Sequence, residues 1–304
     1  MRKPLSVLIA GLLCLIILCA CSQKTDETQT TGISEPISSA SSQTTLAQQT
    51  QTTGDGLSSE TASAPATSDA GTAAQTGSGT LPSTPAEIVR FFNDSANRVK
   101  QTKPGYTFSS RSSTDKKNVV VSDNVPFHSF IASFAASAIN SAKKDNITVA
   151  KGASHDDYPV KGQPWASKID ETALISATLN QAGDYYEIEL KFKDEKLASL
   201  PAKNNSTNHG KAFSLLLDED FRKEFGGFNT KFMGINIRVD NQKFEPTYSG
   251  STIKCKTDKA GNMVSAVYYL NTSSDVEMLV TVNGKETIIK IKLAYSMTET
   301  YTIG

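Results

Sequence analysis

The sequence predicts an α+β domain, in which a curved antiparallel meander sheet carries about three helices packed on one face. Three segments between Thr84 and Phe225 space their apolar residues three or four positions apart, as in amphipathic helices. One central segment and several after Ile235 alternate apolar with polar residues, as in strands that have one solvated face. Turn-forming residues separate the later strands, which favours sequential antiparallel pairing. Two smaller domains that divide near residues 203–206 are the alternative.

The first predicted helix has the sharpest local signal in the chain. Thr84 as N-cap, Pro85 at the first helical position and Glu87 at the third make a capping box. Apolar residues follow at helical spacing: Ile88, Phe91, Phe92, Ala96 and Val99. Pro104-Gly105 then predicts the end of the helix.

Two further helices are predicted from the same period. The first, Pro126 to Lys143, has an apolar stripe made of Phe127, Phe130, Ile131, Phe134 and Ala138. The second, Lys211 to Phe225, spaces Phe213, Leu217, Phe221 and Phe225 four apart. Gly226-Gly227 is a plausible terminating pair for it.

The strands are predicted from a period of two. The clearest is Tyr185 to Lys193, where four apolar residues alternate with Glu and Lys. Similar alternation predicts strands at 235–239, 253–255, 264–270, 276–282 and 289–295. Turns are predicted at 258–262, at 271–275 and at Asn283-Gly284, a pair typical of type I′ hairpins.

The N-terminus has the features of an export signal. Arg2 and Lys3 precede an apolar run that ends at Ala20 and is shorter than the ~20 residues of a membrane span. The run ends in Leu18-Cys19-Ala20-Cys21, which resembles the bacterial lipobox. The resemblance implies cleavage before Cys21, a diacylglyceryl group on its thiol, and a location on the extracytoplasmic face of the cell membrane. An uncleaved anchor or an ordinary secretory signal is the alternative, and both also place the rest of the chain outside the cytoplasm.

Composition then divides the chain into three parts. Residues 1–20 form the predicted lipoprotein signal peptide, residues 21–83 the lipidated cysteine and a tether, and residues 84–304 a single globular domain. The tether is rich in Ser, Thr and Gln and has no aromatic residue, so we expect it to be disordered. A disordered chain of this length spans about 45 Å, which would bring the domain within reach of cell-wall polymer.

Charge and cysteine content limit the possible functions. The formal net charge is zero, and no concentrated basic face is evident, so the sequence does not predict nucleic-acid binding. Removal of the signal and lipidation of Cys21 would leave Cys255 as the one remaining cysteine of four. Cys255 lies in an alternating segment and is predicted to be a buried strand residue, with a nucleophile as the alternative.

Three short motifs resemble those of penicillin-recognising enzymes. Ser141-Ala-Lys-Lys144 fits S-x-x-K, Ser122-Asp-Asn124 fits S-D-N, and Lys256-Thr257 begins a K-T-G. The first two occur in the reverse of the family's order, and Asp258 stands where the third motif needs glycine. We therefore predict no catalytic residue from them.

Metal and glycosidase sites are not predicted either. His155-Asp156-Asp157 contains ligand types, but His128 and His209 lie in other segments, away from the spacing that metal sites use. Glu187 and Glu189 alternate with apolar residues, so they point to solvent together rather than facing each other across a cleft. The sequence predicts no cofactor.

Two features are candidate ligand or partner contacts. Trp165, the only tryptophan, lies in a loop and is either a binding residue or a cover for the rim of the core. The stripe Phe127, Phe130 and Phe134 either lines an apolar groove between helix and sheet or packs in the core.

The predicted architecture is loosely similar to exported lipid-carrier lipoproteins, in which a curved sheet and helices enclose an apolar cavity. It also resembles uncharacterised cell-surface lipoprotein domains of Gram-positive bacteria. We predict a non-catalytic binding or structural role at the cell surface, toward cell-wall polymer or a protein partner. The alternatives are a carrier of lipid or another apolar ligand and a cell-envelope enzyme with an unrecognised site. A contiguous apolar void of roughly 300 Å³ or more would favour the carrier.

The lipobox generates a prediction about anchoring. Replacing Cys21 with Ala removes the thiol that receives the lipid, so we expect an unlipidated precursor that keeps its apolar N-terminal segment and stays with the membrane. Radiolabelled palmitate incorporation and a gel shift would measure this. Unchanged labelling and processing of Cys21→Ala would show that the lipoprotein assignment is wrong.

Overall fold

The fold contains three α-helices within the residues that the structure describes. The structure is a computed structural model that describes residues 81–124, 128–225, 228–232, 235–282 and 284–304. The helices are α1 (Pro85–Thr102), α2 (His128–Ser141) and α3 (Asp218–Phe225). The predicted signal peptide, Cys21 and the tether as far as residue 80 lie outside the described residues, as do Phe127 and Asn283.

The strands of the described residues form one antiparallel sheet. They are β1 (Tyr106–Ser113), β2 (Val119–Val121), β3 (Lys143–Val149), β4 (Leu174–Ala182), β5 (Tyr185–Phe192), β6 (Glu195–Lys196), β7 (Phe228–Phe232), β8 (Ile235–Tyr248), β9 (Thr252–Asp258), β10 (Met263–Val282) and β11 (Lys285–Ile303). The order is β3-β1-β11-β10-β9-β5-β4, with β2 on β11, β8 on β10, and β6 and β7 on β8. The prediction of an α+β fold with an antiparallel sheet is confirmed. The sheet is a meander only in part, because β1 pairs with the distant β11.

The first predicted helix is confirmed with its cap. The Thr84 hydroxyl accepts a hydrogen bond from the Glu87 N–H at 3.3 Å, and the Glu87 carboxylate accepts one from the Thr84 N–H at 3.0 Å. The second helix is confirmed at His128–Ser141. The third is shorter than predicted, because residues 212–217 are not helical. In that stretch Asn204 Oδ1 accepts the N–H of Leu215, so a tertiary partner replaces a helical hydrogen bond.

The predicted turn at 271–275 is wrong. These residues lie inside β10, which runs without interruption from Met263 to Val282. Thr272 pairs with Tyr295 of β11 on one side and with Tyr248 of β8 on the other. Pairing on both sides outweighs the turn preference of Ser, Asn and Asp, which is why local composition misled the prediction.

The even-numbered residues of β10 form its buried face. The apolar members of this set are Ala266, Tyr268, Leu270, Val276, Met278 and Val280. Thr272 and Ser274 lie between them on the same face and are also buried. One long strand therefore carries two apolar patches with a short polar stretch between them.

Each apolar patch of β10 belongs to a different core cluster. The first cluster combines Ala266, Tyr268 and Leu270 with Ile88, Phe92 and Val99 of α1. The second combines Val276, Met278 and Val280 with Ile131, Ala132 and Ala135 of α2. Near the second cluster, the ring of Phe221 from α3 lies 5.1 Å from that of Phe244 of β8. The middle of β10 thus lies between two packed regions.

Two asparagine side chains of α1 form hydrogen bonds with the backbone of a neighbouring loop. Asn97 Nδ2 donates to the Ser167 carbonyl at 2.8 Å, and its Oδ1 accepts from the N–H groups of Ala166 and Ser167 at 2.7 and 3.0 Å. Asn93 Nδ2 donates to the Ile169 carbonyl at 2.8 Å. Both buried N–H groups of residues 166 and 167 depend on Asn97, since buried backbone groups need partners.

Lys100 extends the same stripe of α1. Its ammonium donates to the carbonyl oxygens of Asp156, Val160 and Gln163 at 3.3, 3.1 and 2.5 Å. Burial lowers the pKa of Lys100 to about 8, although the carboxylates of Asp156 and Asp157 oppose the shift. The ammonium is therefore mostly protonated at pH 7, and its three N–H groups bond to three carbonyls of the loop and hold them together.

Replacing Asn97 with Ala should lower the free energy of unfolding by about 3 kcal/mol, because two buried N–H groups lose their acceptor. Chemical denaturation of the full chain measures the change. Asp94→Ala is the matched control, since Asp94 is exposed on the same helix and should change stability by no more than about 0.5 kcal/mol. Equal stabilities of the two variants would contradict the role given to Asn97.

Candidate functional site

A cavity of the described residues lies where the two core clusters separate. Its volume is about 440 Å³. Strands β8, β10 and β11 supply its floor, and α2, α3 and the irregular segment before α3 supply the opposite wall. The lining is mostly apolar, so the cavity suits a ligand that avoids water.

The floor consists of side-chain rows that run across the paired strands. These rows are Leu270–Met297, Tyr248–Thr272–Tyr295, Pro246–Ser274–Leu293 and Phe244–Val276–Ile291, and Met278 lies beyond them. The distance along β10 from Leu270 to Met278 is about 27 Å at 3.4 Å per residue. The floor of the cavity is therefore elongated along β10.

Small side chains create this space. Thr272 and Ser274 stand at positions of β10 where the strand elsewhere carries Tyr, Leu or Met. Ala135 of α2 and Ser214 face the same cavity. Close-packed interiors normally fill such positions with larger apolar groups. On β11, Leu293 and Tyr295 remain only half-buried because they border the cavity.

One row of the floor is polar. Tyr248 and Tyr295 flank Thr272, and all three line the cavity. Their hydroxyl groups make no hydrogen bond to any residue of the described ranges. Burial raises the pKa of both tyrosines, and their phenol groups are close enough for Tyr295 to raise the pKa of Tyr248 further. Both are therefore neutral hydrogen-bond donors.

His209 and Glu195 position the Tyr248 ring. The ring of His209 stacks on that of Tyr248 at 5.1 Å, and Glu195 Oε2 accepts from His209 Nδ1 at 2.8 Å. Burial acts to raise the pKa of Glu195, but hydrogen bonds from His209 and from the N–H of Asn208 outweigh it and keep the pKa below its ordinary value. An ionised carboxylate thus fixes the imidazole, and the imidazole fixes the phenol.

Charged side chains occur only where the lining reaches the surface. Lys161, Asp220 and Lys223 border the cavity and are exposed. Lys223 forms an ion pair with Glu219 of the same helix at 2.5 Å. The inner part of the lining carries no charged side chain among the described residues.

The candidate contacts from the sequence lie elsewhere. Phe130 is 57% exposed on α2. Phe134 is partly buried and packs against the second core cluster. Trp165 is buried, with the Lys168 ammonium 5.2 Å from its ring, and its loop is held by Asn97. None of these three lines the cavity, and Phe127 lies outside the described residues.

The residues that do line α2's side of the cavity were missed. Ile131 was predicted as part of the apolar stripe but not as a ligand contact, and Ala135 and Ile139 were predicted as neither. The sequence did contain a signal for the floor, because Thr272 and Ser274 continue the alternation of β10 in phase with its apolar residues. Small polar residues at core positions of a strand indicate space or a ligand.

The described residues offer no evident catalytic group. His209 is within hydrogen-bond distance of a carboxylate, but it is fully buried outside the cavity lining. His155 is also buried, and both its ring nitrogens contact backbone carbonyls, of Ala153 at 2.9 Å and Pro104 at 2.6 Å. Cys255 is buried as predicted, and burial raises the pKa of its thiol to about 12, which keeps it unreactive. No cluster of three or more potential metal ligands occurs in the ranges described.

Glu299 is a buried acid close to the cavity. It lies on β11 two positions after Met297, which is part of the floor, and is 5% exposed. Burial raises its pKa to about 7, although the hydroxyl of Tyr301, which donates at 3.2 Å, and the charge of Lys144 oppose the shift. The folded protein therefore favours the protonated carboxyl.

Comparison of the chain with protein-family models, with curated proteins and with solved structures finds no match. Across the described ranges, no helix combines the length and hydrophobicity needed to cross a membrane. The function of the protein is therefore inferred from its cavity.

Glu299 makes stability depend on pH. A carboxyl whose pKa is higher in the folded than in the unfolded state contributes stability below about pH 4.5 and loses it as pH rises through about 7. The free energy of unfolding should fall by roughly 3 kcal/mol across this interval. Glu299→Gln should remove that part of the slope in denaturation series at pH 5 and 8, whereas Gln at the exposed Glu286 should not. Parallel slopes for Glu299→Gln and the unsubstituted chain would contradict the assignment.

Proposed function

We propose that this protein is a non-catalytic, extracytoplasmic lipoprotein that holds a long apolar ligand in the cavity above β8, β10 and β11. The observation that carries the proposal is the volume of about 440 Å³, which exceeds the roughly 300 Å³ expected of a ligand site. The proposal selects the carrier among the functions that the sequence leaves open.

The energetic cost of the cavity supports a ligand. The cavity reaches the surface, so its apolar lining contacts water when no ligand covers it. Covering this apolar surface with an apolar ligand is favourable. Apolar walls hold water poorly, whereas an apolar ligand fills the space and keeps the walls dry. Binding therefore stabilises the fold as it captures the ligand.

The shape of the cavity indicates the kind of ligand. A floor that extends about 27 Å along β10 matches the length of an extended hydrocarbon chain. The apolar rows at Leu270–Met297 and at Phe244–Val276–Ile291 provide dispersion contacts along most of that length.

The proposal includes the placement of all three helices on one face of the sheet. Residues of α1 share a core with Ala266 and Tyr268, those of α2 share one with Val276, and Phe221 of α3 contacts Phe244, which is paired with Val276. All these sheet residues belong to the buried face of β10 or pair with it. Helices on that side leave a groove between them where β10 carries small residues.

The proposal also includes attachment to the membrane through the lipobox cysteine. A lipid on Cys21 would keep the domain on the extracytoplasmic face of the membrane, and the tether would give it about 45 Å of reach. A carrier in this position can take up an amphiphile near the membrane surface and release it to cell-wall polymer, to a protein partner or to a second membrane.

Native mass spectrometry of the purified full chain tests the cavity. We expect a non-covalent adduct of lipid-like mass in addition to the covalent lipid. Ala135→Leu places a larger side chain in the cavity and should reduce the adduct at least tenfold. Ser137→Leu adds the same bulk at an exposed position of α2 and should leave the adduct unchanged.

Stability measurements on the same variants separate a cavity from a closed core. Added bulk in a packed core costs about 1–3 kcal/mol, whereas bulk that enters free space costs little. Ala135→Leu should therefore unfold at a denaturant concentration no lower than Ser137→Leu. Absence of an adduct from the unsubstituted chain, or an adduct that Ala135→Leu leaves intact, would overturn the proposed function.

A further inference from the structure

We propose that Tyr248, Thr272, Tyr295 and Asn204 form a subsite for the uncharged, oxygen-bearing group of an amphiphile, such as the ester of an acylglycerol. The inference rests on the proposed function and adds the chemical class of the ligand. The observation that carries it is a row of three hydroxyl side chains, Tyr248–Thr272–Tyr295, in a mostly apolar cavity that Asn204 also lines.

The four residues of this subsite have unused hydrogen-bonding capacity, and all except the half-buried Tyr295 are buried. Tyr248 is 3% exposed, Thr272 4% and Asn204 4%. The three hydroxyl groups of Tyr248, Thr272 and Tyr295 have no partner within the described part of the chain. These hydroxyls are not among the fully buried side-chain atoms without a partner, so they are open to the cavity and can bond to a group that occupies it. A ligand atom in the cavity supplies the missing partner.

Asn204 contributes a donor for the same reason. Its Oδ1 accepts the N–H of Leu215 at 3.0 Å, which orients the amide. The Nδ2 group therefore turns away from Leu215, and no described residue accepts its hydrogens. Because Asn204 lines the cavity, its amide nitrogen adds two donors to the three hydroxyls.

The three hydroxyls and the Asn204 amide offer five hydrogens to a ligand, and no cation of the described residues lies among them. The charged groups of the described lining are Lys161, Asp220 and Lys223, and all three are exposed at its edge. The carboxylate of Glu195 is negative, raises the pKa of Tyr248 and bonds to the His209 ring that stacks on it. An anionic head group would lose its hydration without gaining a cation. A neutral carbonyl or ester, which only accepts hydrogen bonds, matches the row.

The position of the row also fits an acyl ester. Thr272 lies near one end of the floor, one row from Leu270, whereas the floor continues in the other direction to Met278. That longer arm measures about 20 Å along β10 and suits a long acyl chain. The stacked His209 holds the Tyr248 phenol in place before a ligand arrives, which reduces the entropy lost on binding.

Photo-crosslinking on the full chain tests the inference. The protein is reconstituted in vesicles of diether phosphatidylcholine, which has no ester carbonyl. Three probes of equal chain length carry the same terminal alkyl diazirine: a 1-monoacylglycerol, a fatty acid and a plain hydrocarbon. Labelled peptides of β8, β10 and β11 are quantified by mass spectrometry against probe concentration. We expect half-maximal labelling by the monoacylglycerol at a concentration at least tenfold lower than for either other probe.

Isosteric variants assign the preference to the hydroxyls. Tyr248→Phe combined with Tyr295→Phe should raise the half-maximal concentration of the monoacylglycerol probe at least tenfold and leave the hydrocarbon probe unchanged. The double variant should be about as stable as the unsubstituted chain, because it removes hydroxyls that bond to no described residue and keeps both rings. Tyr185→Phe, at an exposed position of β5, is the control and should change neither measurement.

The outcomes distinguish this inference from the function on which it rests. Labelling of the three strands by none of the probes overturns the proposed function and the inference together. Equal labelling by the monoacylglycerol and the hydrocarbon, unaffected by the double variant, leaves the cavity as a ligand site and overturns the polar row. Preference for the fatty acid overturns the assignment of an uncharged group. Destabilisation by the double variant shows that the hydroxyls are structural.

Discussion

The pairing of β10 with β11 is the constraint on which the rest of the structure depends. Its register runs without a break from Ser265↔Thr302 to Val282↔Lys285. Because side chains alternate along a strand, this register decides which residues of both strands face the helices. A slip of one residue would turn the apolar patches and the polar row to solvent. Both core clusters and the floor of the cavity therefore follow from one hairpin.

Local patterns predicted the parts of the fold whose forces are local. The capping box fixed the start of α1 at Pro85, and alternation identified β5, β9 and most of β11. The patterns failed where distant partners decide the conformation. Asn204 draws residues before α3 out of the predicted helix, and strands on both sides hold 271–275 extended despite a turn-like composition. Such partners are unknown until the chain has folded.

The cavity could be predicted only in general terms. A groove between helix and sheet was a hypothesis from the sequence, but the phenylalanine stripe was its suggested lining. Large aromatic residues fill space, so they pack in the core or stay on the surface of α2, as Phe134 and Phe130 do. Space comes instead from residues that are too small, such as Ala135 and Ser274. A search for cavities in a sequence should therefore look for small residues in phase with a core pattern.

The polar row also explains why the floor departs from an ordinary core. Leucine at Thr272 or phenylalanine at Tyr248 would fill the same positions without unpaired hydroxyls and would stabilise a protein that bound nothing. Elsewhere in the domain, Asn97 and Lys100 of α1 stabilise a loop by forming hydrogen bonds with its backbone N–H and carbonyl groups. Careful satisfaction of polar groups on α1 and unpaired hydroxyls on the floor occur in the same domain. Unpaired hydroxyls also occur in the packed core, at Thr257 and Tyr268, so what distinguishes the floor is the combination of small and polar side chains with open space beside them.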